Sequence, residues 1–255
     1  MINALLIIGF LLVAVAYSAV GFGGGSTYNA LLVLSGLDFR VIPVIALSCN
    51  ILVVSGGVYH FYRAGKLDYK ALLPFVALSI PAAWLGGSLP VSEELFTGLL
   101  GVALLVTGIQ MLWNPVNHLH PRRPVNPWIL GLPLGAVTGL VAGITGIGGG
   151  IFLAPCLHLL GWDKPRRIAA MASGFILVNS LAGLTGQLMK QNGQTLIPEW
   201  LNAWPLFIAV VIGGQIGSRL AAGKLPQLWV RRLTAVLVLW VAVRLLRHWL
   251  VLLTG

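Results

Sequence analysis

Two glycine clusters carry the strongest chemical signal in the chain. They are Gly21-Phe22-Gly23-Gly24-Gly25, followed by Ser26 and Thr27, and Gly146-Ile147-Gly148-Gly149-Gly150, followed by Ile151 and Phe152. Each interrupts a hydrophobic stretch and leads into a short apolar run, 26–37 or 151–162. A bilayer span takes roughly 20 residues, so neither run can cross alone. A glycine inside a helix costs about 1 kcal/mol relative to alanine. Backbone left unpaired in hydrocarbon costs more, and it survives only where protein covers it or a wet cavity adjoins it. A helix that starts at such a break offers unpaired N–H groups and the positive end of its dipole. Glycine lets an oxyanion approach that backbone and permits positive φ. The expected chemistry is therefore anion binding by backbone amides. The candidate residues are Gly21, Gly23, Gly24, Gly25 and Ser26 in the first cluster, and Gly146, Gly148, Gly149 and Gly150 in the second.

Polar residues in the neighbouring apolar runs could complete an anion's shell. Ser48 and Asn50 lie in one run, and Ser173, Asn179 and Ser180 in another. Ser173 and Ser180 are close to two helical turns apart and share a face, as do Ser48 and Ser55. Hydrogen bonds between helices account for these side chains equally well, and Gln187 and Gln215 are similar cases. We carry Ser48, Asn50, Ser173 and Asn179 as substrate-binding candidates. No acidic residue lies deep in any run, which argues against a carboxylate cation site or proton relay. Asp38 and Asp163 precede apolar runs and read as helix N-caps. His60 reads as an interfacial residue, with a coupling proton as its sharper alternative. Cys49 and Cys156 read as small buried side chains. A sulfur-transfer role would need a nucleophile–base pair that the sequence does not display. His158 is too isolated for a metal site. No catalytic residue, metal site or cofactor is expected.

These candidates require a scaffold that holds them in a bilayer. Of 255 residues, 58% are hydrophobic and only 9% charged, and the mean hydropathy is +0.92. Soluble domains carry about 25% charged residues. Strong hydrophobicity excludes disorder, and two cysteines exclude a disulfide scaffold. What remains is an all-α polytopic membrane protein. Apolar runs at 2–22, 41–62, 71–89, 95–113, 127–145, 168–189, 201–221 and 229–253 approach or complete a span. The first starts at Ile2 without a preceding Lys or Arg and continues past Ala14-Val15-Ala16, so it reads as a membrane element rather than a cleaved signal. Trp113, Trp128, Trp162, Trp200, Trp204 and Trp229 near run ends suit an interfacial belt. The net charge of +10 is scattered through short loops. That speaks for orientation in a lipid bilayer rather than for a nucleic-acid partner.

The chain reads as two homologous repeats, 1–113 and 127–255, joined by a polar loop at 114–126. A shift of 125 positions superposes the glycine clusters, and 13 of the 35 residues from Gly21 to Ser55 are then identical. Chance in such a composition would give roughly a tenth. Loop charge decides their relative orientation. If the glycine breaks lie within continuous spans, Lys and Arg divide 8 against 8 between the two sides. If each break turns the chain back, they divide 12 against 4, with only Arg40, Lys190, Arg244 and Arg247 on the poorer side. Because basic residues collect in the cytoplasm, the second arrangement is favoured. It makes the repeats inverted and puts both termini outside. Each repeat then holds one Gly-broken helix plus full transmembrane helices. Paired broken helices are a pattern of secondary transporters.

The duplicated glycine motif, each copy followed by a short helix and a Gly-x-Asp turn, resembles the sulfite exporter TauE/SafE family. Ala46-Leu47-Ser48, Ala170-Met171-Ala172-Ser173 and Gly65-Lys66-Leu67-Asp68 fit the same pattern. The resemblance implies a permease of the bacterial inner membrane. Sulfite and organosulfonates are among the family's proposed substrates, and the resemblance supports an anion permease better than any named anion. Ile151 stands where the first copy has Ser26, so the half-sites need not be equivalent. The expected function is secondary transport of a small anion by alternating movement of the repeats. A membrane-embedded sulfur-transfer enzyme and an anion channel are the alternatives. The expected partners are the bilayer and the anion, and the sequence also admits a homo-oligomer.

Overall fold

The computed structural model describes residues 3–18, 23–112, 126–160, 162–163, 165–190, 197–220 and 227–254. The linking loop at 114–125 and Gly21 lie outside the described residues. Within them every regular element is a helix: α1 (Ala4–Ser18), α2 (Gly25–Leu34), α3 (Ile42–Arg63), α4 (Tyr69–Ser88), α5 (Glu93–Leu112), α6 (Pro127–Thr145), α7 (Gly150–Leu159), α8 (Pro165–Lys190), α9 (Ile197–Asn202), α10 (Trp204–Leu220) and α11 (Gln227–Thr254). Among the described residues six helices, α3, α4, α5, α6, α8 and α11, are long and apolar enough to cross a membrane. The outer surface carries many exposed aliphatic side chains, including Leu5, Ile8, Ile129, Val137, Val236 and Val251. So large an apolar surface suits lipid rather than water.

Glycine sets how closely these helices approach. Gly131, Gly135, Gly139 and Gly143 form a stripe with four-residue spacing along α6 and lie directly against the α4 backbone. A methyl group on Gly139 would stand 2.7 Å from the Ser79 Cα. Gly213 and Gly217 bring α10 equally close to α1, at Leu11 and Val15. Association in lipid gains little from hydrophobicity, so small residues that allow backbone contact take its place. Residue numbers rise together along both pairs, so α4 runs parallel to α6 and α1 parallel to α10. By contrast, α5 and α11 are antiparallel, with Gly98 at Trp249, Gly101 at Leu246 and Gly108 at Leu239.

Buried side chains form two clusters. One draws on α1, α2, α3, α5, α10 and α11, and includes Phe10 stacked on Tyr28 at 4.8 Å. The other draws on α4, α7 and α8 around Phe75 and Phe175.

Two local expectations, the Asp38 cap and part of the tryptophan belt, meet a different outcome. Val41, not Asp38, is the N-cap of α3, and the Asp38 carboxylate instead accepts the Arg40 N–H in the preceding turn. Asp163 lies beside Arg167 at 3.3 Å. Asp68 is the aspartate that caps a helix, accepting from Lys70 and Ala71 at the start of α4. Trp128 and Trp204 are exposed at helix starts, as an interfacial belt requires, but Trp162 packs edge-on against Phe75 and Trp200 turns inward.

Replacing Gly139 by leucine should lower the thermal unfolding midpoint in detergent by several degrees, since the α4 backbone leaves no room. Val137→Leu, on the exposed face of the same helix, should leave it unchanged. Equal effects at both positions would show that the stripe does not set the contact.

Candidate functional site

The chain between α6 and α7 explains why glycine is needed there. Gly146 terminates α6 in the left-handed region at φ 78°, and Gly148 and Gly149 follow at φ 84° and 76°. Gly24 at φ 83° holds the corresponding place before α2. A side chain is strained at such angles. α2 begins at Gly25 and α7 at Gly150, 125 positions apart, and no side chain caps either N-terminus.

Five consecutive carbonyl groups at and just beyond the end of α6, those of residues 143–147, would otherwise be unpaired in the protein interior. Three carboxamides collect them. Gln187 of α8 donates to the Gly143 carbonyl at 2.8 Å and more weakly to Ile144 at 3.4 Å. Asn29 of α2 donates to Thr145 at 2.8 Å. Asn50 of α3 donates to Ile147 at 3.2 Å and Gly146 at 3.5 Å. Gln187, Asn29 and Asn50 are all buried.

Asn50 therefore stands between the two breaks. A methyl on Gly25 would lie 2.6 Å from the Ile147 carbonyl oxygen and 2.9 Å from the Asn50 Oδ1. One on Gly23 would lie 2.6 Å from the same Oδ1, and one on Gly148 would lie 3.0 Å from both the Asn50 Nδ2 and the Ser180 Oγ. The breaks are thus in contact, with the Asn50 carboxamide filling the interval between them and no open cavity there among the described residues. Asn50 and Ser180 are fully covered, and Ser26 is 1% exposed, so the junction is sealed from solvent.

Several polar atoms around this junction have no hydrogen-bond partner: the hydroxyls of Ser26 and Ser180 and the carboxamide oxygens of Asn29, Asn50 and Asn179. An unpaired buried polar atom is costly, and its presence asks for a ligand, a water or a change of conformation.

The remaining candidates are placed differently. Ser48 donates its hydroxyl to the Val44 carbonyl and accepts the indole N–H of Trp200 at 3.0 Å. Ser173 donates to Ala169, and Asn179 donates to Phe175, each within its own helix. Gly23, Gly25, Gly148 and Asn50 are brought together; Ser26 opens α2, and Ser48 is turned toward Trp200. Sequence reasoning missed Asn29 and underweighted Ser180 and Gln187. Asking which donors satisfy the end of α6 would have pointed to buried carboxamides. No group of three or more His, Cys, Asp or Glu suitable for a metal occurs among the described residues.

Gln187→Leu or Asn29→Leu should each cost about 1–3 kcal/mol by leaving a buried carbonyl unpaired. The readout is the unfolding midpoint of the purified protein, with Thr185→Val as an exposed control. An unchanged midpoint in both would show that the carbonyls find other donors.

A family model described as sulfite exporter TauE/SafE matches residues 5–245. A protein named "Probable membrane transporter protein y4hK" from Sinorhizobium fredii is 35% identical, covering 94% of this chain and 97% of its own. A "Probable membrane transporter protein" from Methanocaldococcus jannaschii is 27% identical, covering 85% of this chain and 86% of its own. One from Bacillus subtilis is 26% identical, covering 85% and 89%. No solved structure matches significantly.

Proposed function

The chain belongs to the sulfite exporter TauE/SafE family of membrane transporters, and we propose that it is a secondary transporter of a small anion, with sulfite or an organosulfonate as the substrate class. The observation that carries this reading is the meeting of two uncapped helix N-termini, α2 and α7, at a covered junction with unpartnered serine hydroxyls. Backbone N–H groups and helix dipoles there favour negative charge. The Asn50 carboxamide oxygen holds the place of an oxyanion between the glycines. When the junction opens, the anion displaces it, and the Ser26 and Ser180 hydroxyls donate to the bound oxygens.

The two repeats are inverted in this reading. Support comes from helices at equivalent places in the two halves. α5 and α11 pair antiparallel, and the parallel pair of α1 with α10 has its counterpart in α6 with α4. A two-fold axis in the membrane plane generates this pattern. Charge agrees, since Arg40 and Lys190 line one cavity with Glu93, and Glu93 lies 3.9 Å from His248 near Arg244 and Arg247. The four basic residues of the poorer side thus share one end. We assign that end to the outside of the bacterial inner membrane. Access alternates as the two buried clusters shift against each other, driven by an ion gradient or by the anion's own gradient.

The test is thermal stabilisation of the purified protein by sulfite, sulfate, thiosulfate, sulfoacetate and taurine, since a ligand that prefers the folded state raises apparent stability. At least one of them should raise the midpoint, and Gly25→Ala, whose methyl meets the Ile147 carbonyl, should abolish that rise. Stabilisation by a cation and by none of these compounds would overturn the reading.

A further inference from the structure

We propose a second anion site at the outer end of the transporter, a vestibule formed by Arg40 and Lys190 that gathers the substrate before it reaches the glycine junction. The inference rests on the anion reading above. A cavity of about 410 Å³ opens between the turn before α3, the turn before α5 and the end of α8. Arg40 and Lys190 both line it, together with Ser92, Glu93 and the apolar side chains of Phe39 and Val91.

Two cations against one carboxylate leave the lining with a net positive charge. Among the described residues neither Arg40 nor Lys190 has a carboxylate partner. Glu93, the acidic residue of the lining, is drawn toward His248 on α11 at 3.9 Å. Ser92 donates to Glu94, and the Asp38 carboxylate is held by the Arg40 backbone N–H. The Arg40 guanidinium lies over the Phe39 ring at 5.4 Å, a cation–π contact that does not occupy its N–H groups. Membrane orientation explains the twelve basic residues of the opposite side. It does not explain these two, which lie against the rule.

Two like charges lining one concavity repel each other until an anion lies between them. A concave surface also focuses their field outward, which raises the local concentration of anions. The distance inward is short. α3 starts at Ile42, two residues after Arg40, and Asn50 follows about 12 Å further along the same helix. The ligand class is a small oxyanion such as sulfite, held by the guanidinium fork and the ammonium group.

The experiment uses the full chain in liposomes and the panel anion that the wild type transports, with initial rates measured from each face. For Arg40→Gln/Lys190→Gln, KM at the Arg40 face should rise about tenfold, the low end of such focusing effects, while Vmax changes less than twofold and KM at the other face is unchanged. The wild-type KM at that face should also rise with ionic strength, and the variant should lose this dependence. Arg40→Lys/Lys190→Arg should keep the wild-type KM. Single glutamine variants, checked for an unchanged unfolding midpoint, should give smaller shifts in the same direction. Unchanged KM in the glutamine variants, with anion transport intact in the wild type, would overturn the vestibule and leave the anion reading standing. A wild type that neither binds nor moves any panel anion would remove both.

Discussion

A helix that stops inside a bilayer leaves its last carbonyl groups with no water to turn to. The end of α6 meets that constraint with three carboxamides. Gln187, Asn29 and Asn50 reach the carbonyls of residues 143–147 from three different helices. This cradle fixes where α2, α3 and α8 stand relative to α6. It also brings the first glycine segment against the second, because Asn50 fills the interval between them. These donors satisfy the carbonyls of the turn that Gly146, Gly148 and Gly149 make with positive φ.

The cradle is not mirrored. Residues 125 positions beyond Asn29 and Asn50 are Ala154 and Phe175, which cannot donate a side-chain hydrogen bond. Both apolar side chains belong to the buried cluster of α4, α7 and α8. One cluster therefore meets the junction with amides and hydroxyls, and the other with a methyl and a phenyl ring. The difference extends to the helix starts, where Ser26 opens α2 and Ile151 follows the first residue of α7. A bound anion would find side-chain donors on the α2 side, with Ser180 as the contribution from α8. The two glycine segments are alike in sequence, and the side chains that meet them are not.

Much of this was legible in the sequence because it depends on local rules. Run lengths anticipated the short helices α2 and α7. The division of basic residues anticipated that Arg40 and Lys190 share one end. What escaped depends on contacts between distant segments. Asn29 looks like an isolated polar residue until Thr145, 116 positions away, is seen to need a donor. Ser48 has the right spacing for a binding face, yet Trp200 and its own helix claim the hydroxyl. Asp38 lies one turn too early to cap α3, a matter of a few residues that pattern alone does not resolve. The glycines along α6 at four-residue spacing were visible but silent, since spacing cannot say which helix lies opposite.

The way α4 is seated has a consequence for how the two halves of the chain hold together. It belongs by sequence to the first half, yet its closest neighbours are α6 and α8 of the second, and α10 is lodged reciprocally against α1 and α3. Each half has lent a helix to the other. Glycines of α6 receive α4, and glycines of α10 itself let it approach α1. The two halves of the chain are consequently interleaved, and neither could be lifted out without opening the core of the other.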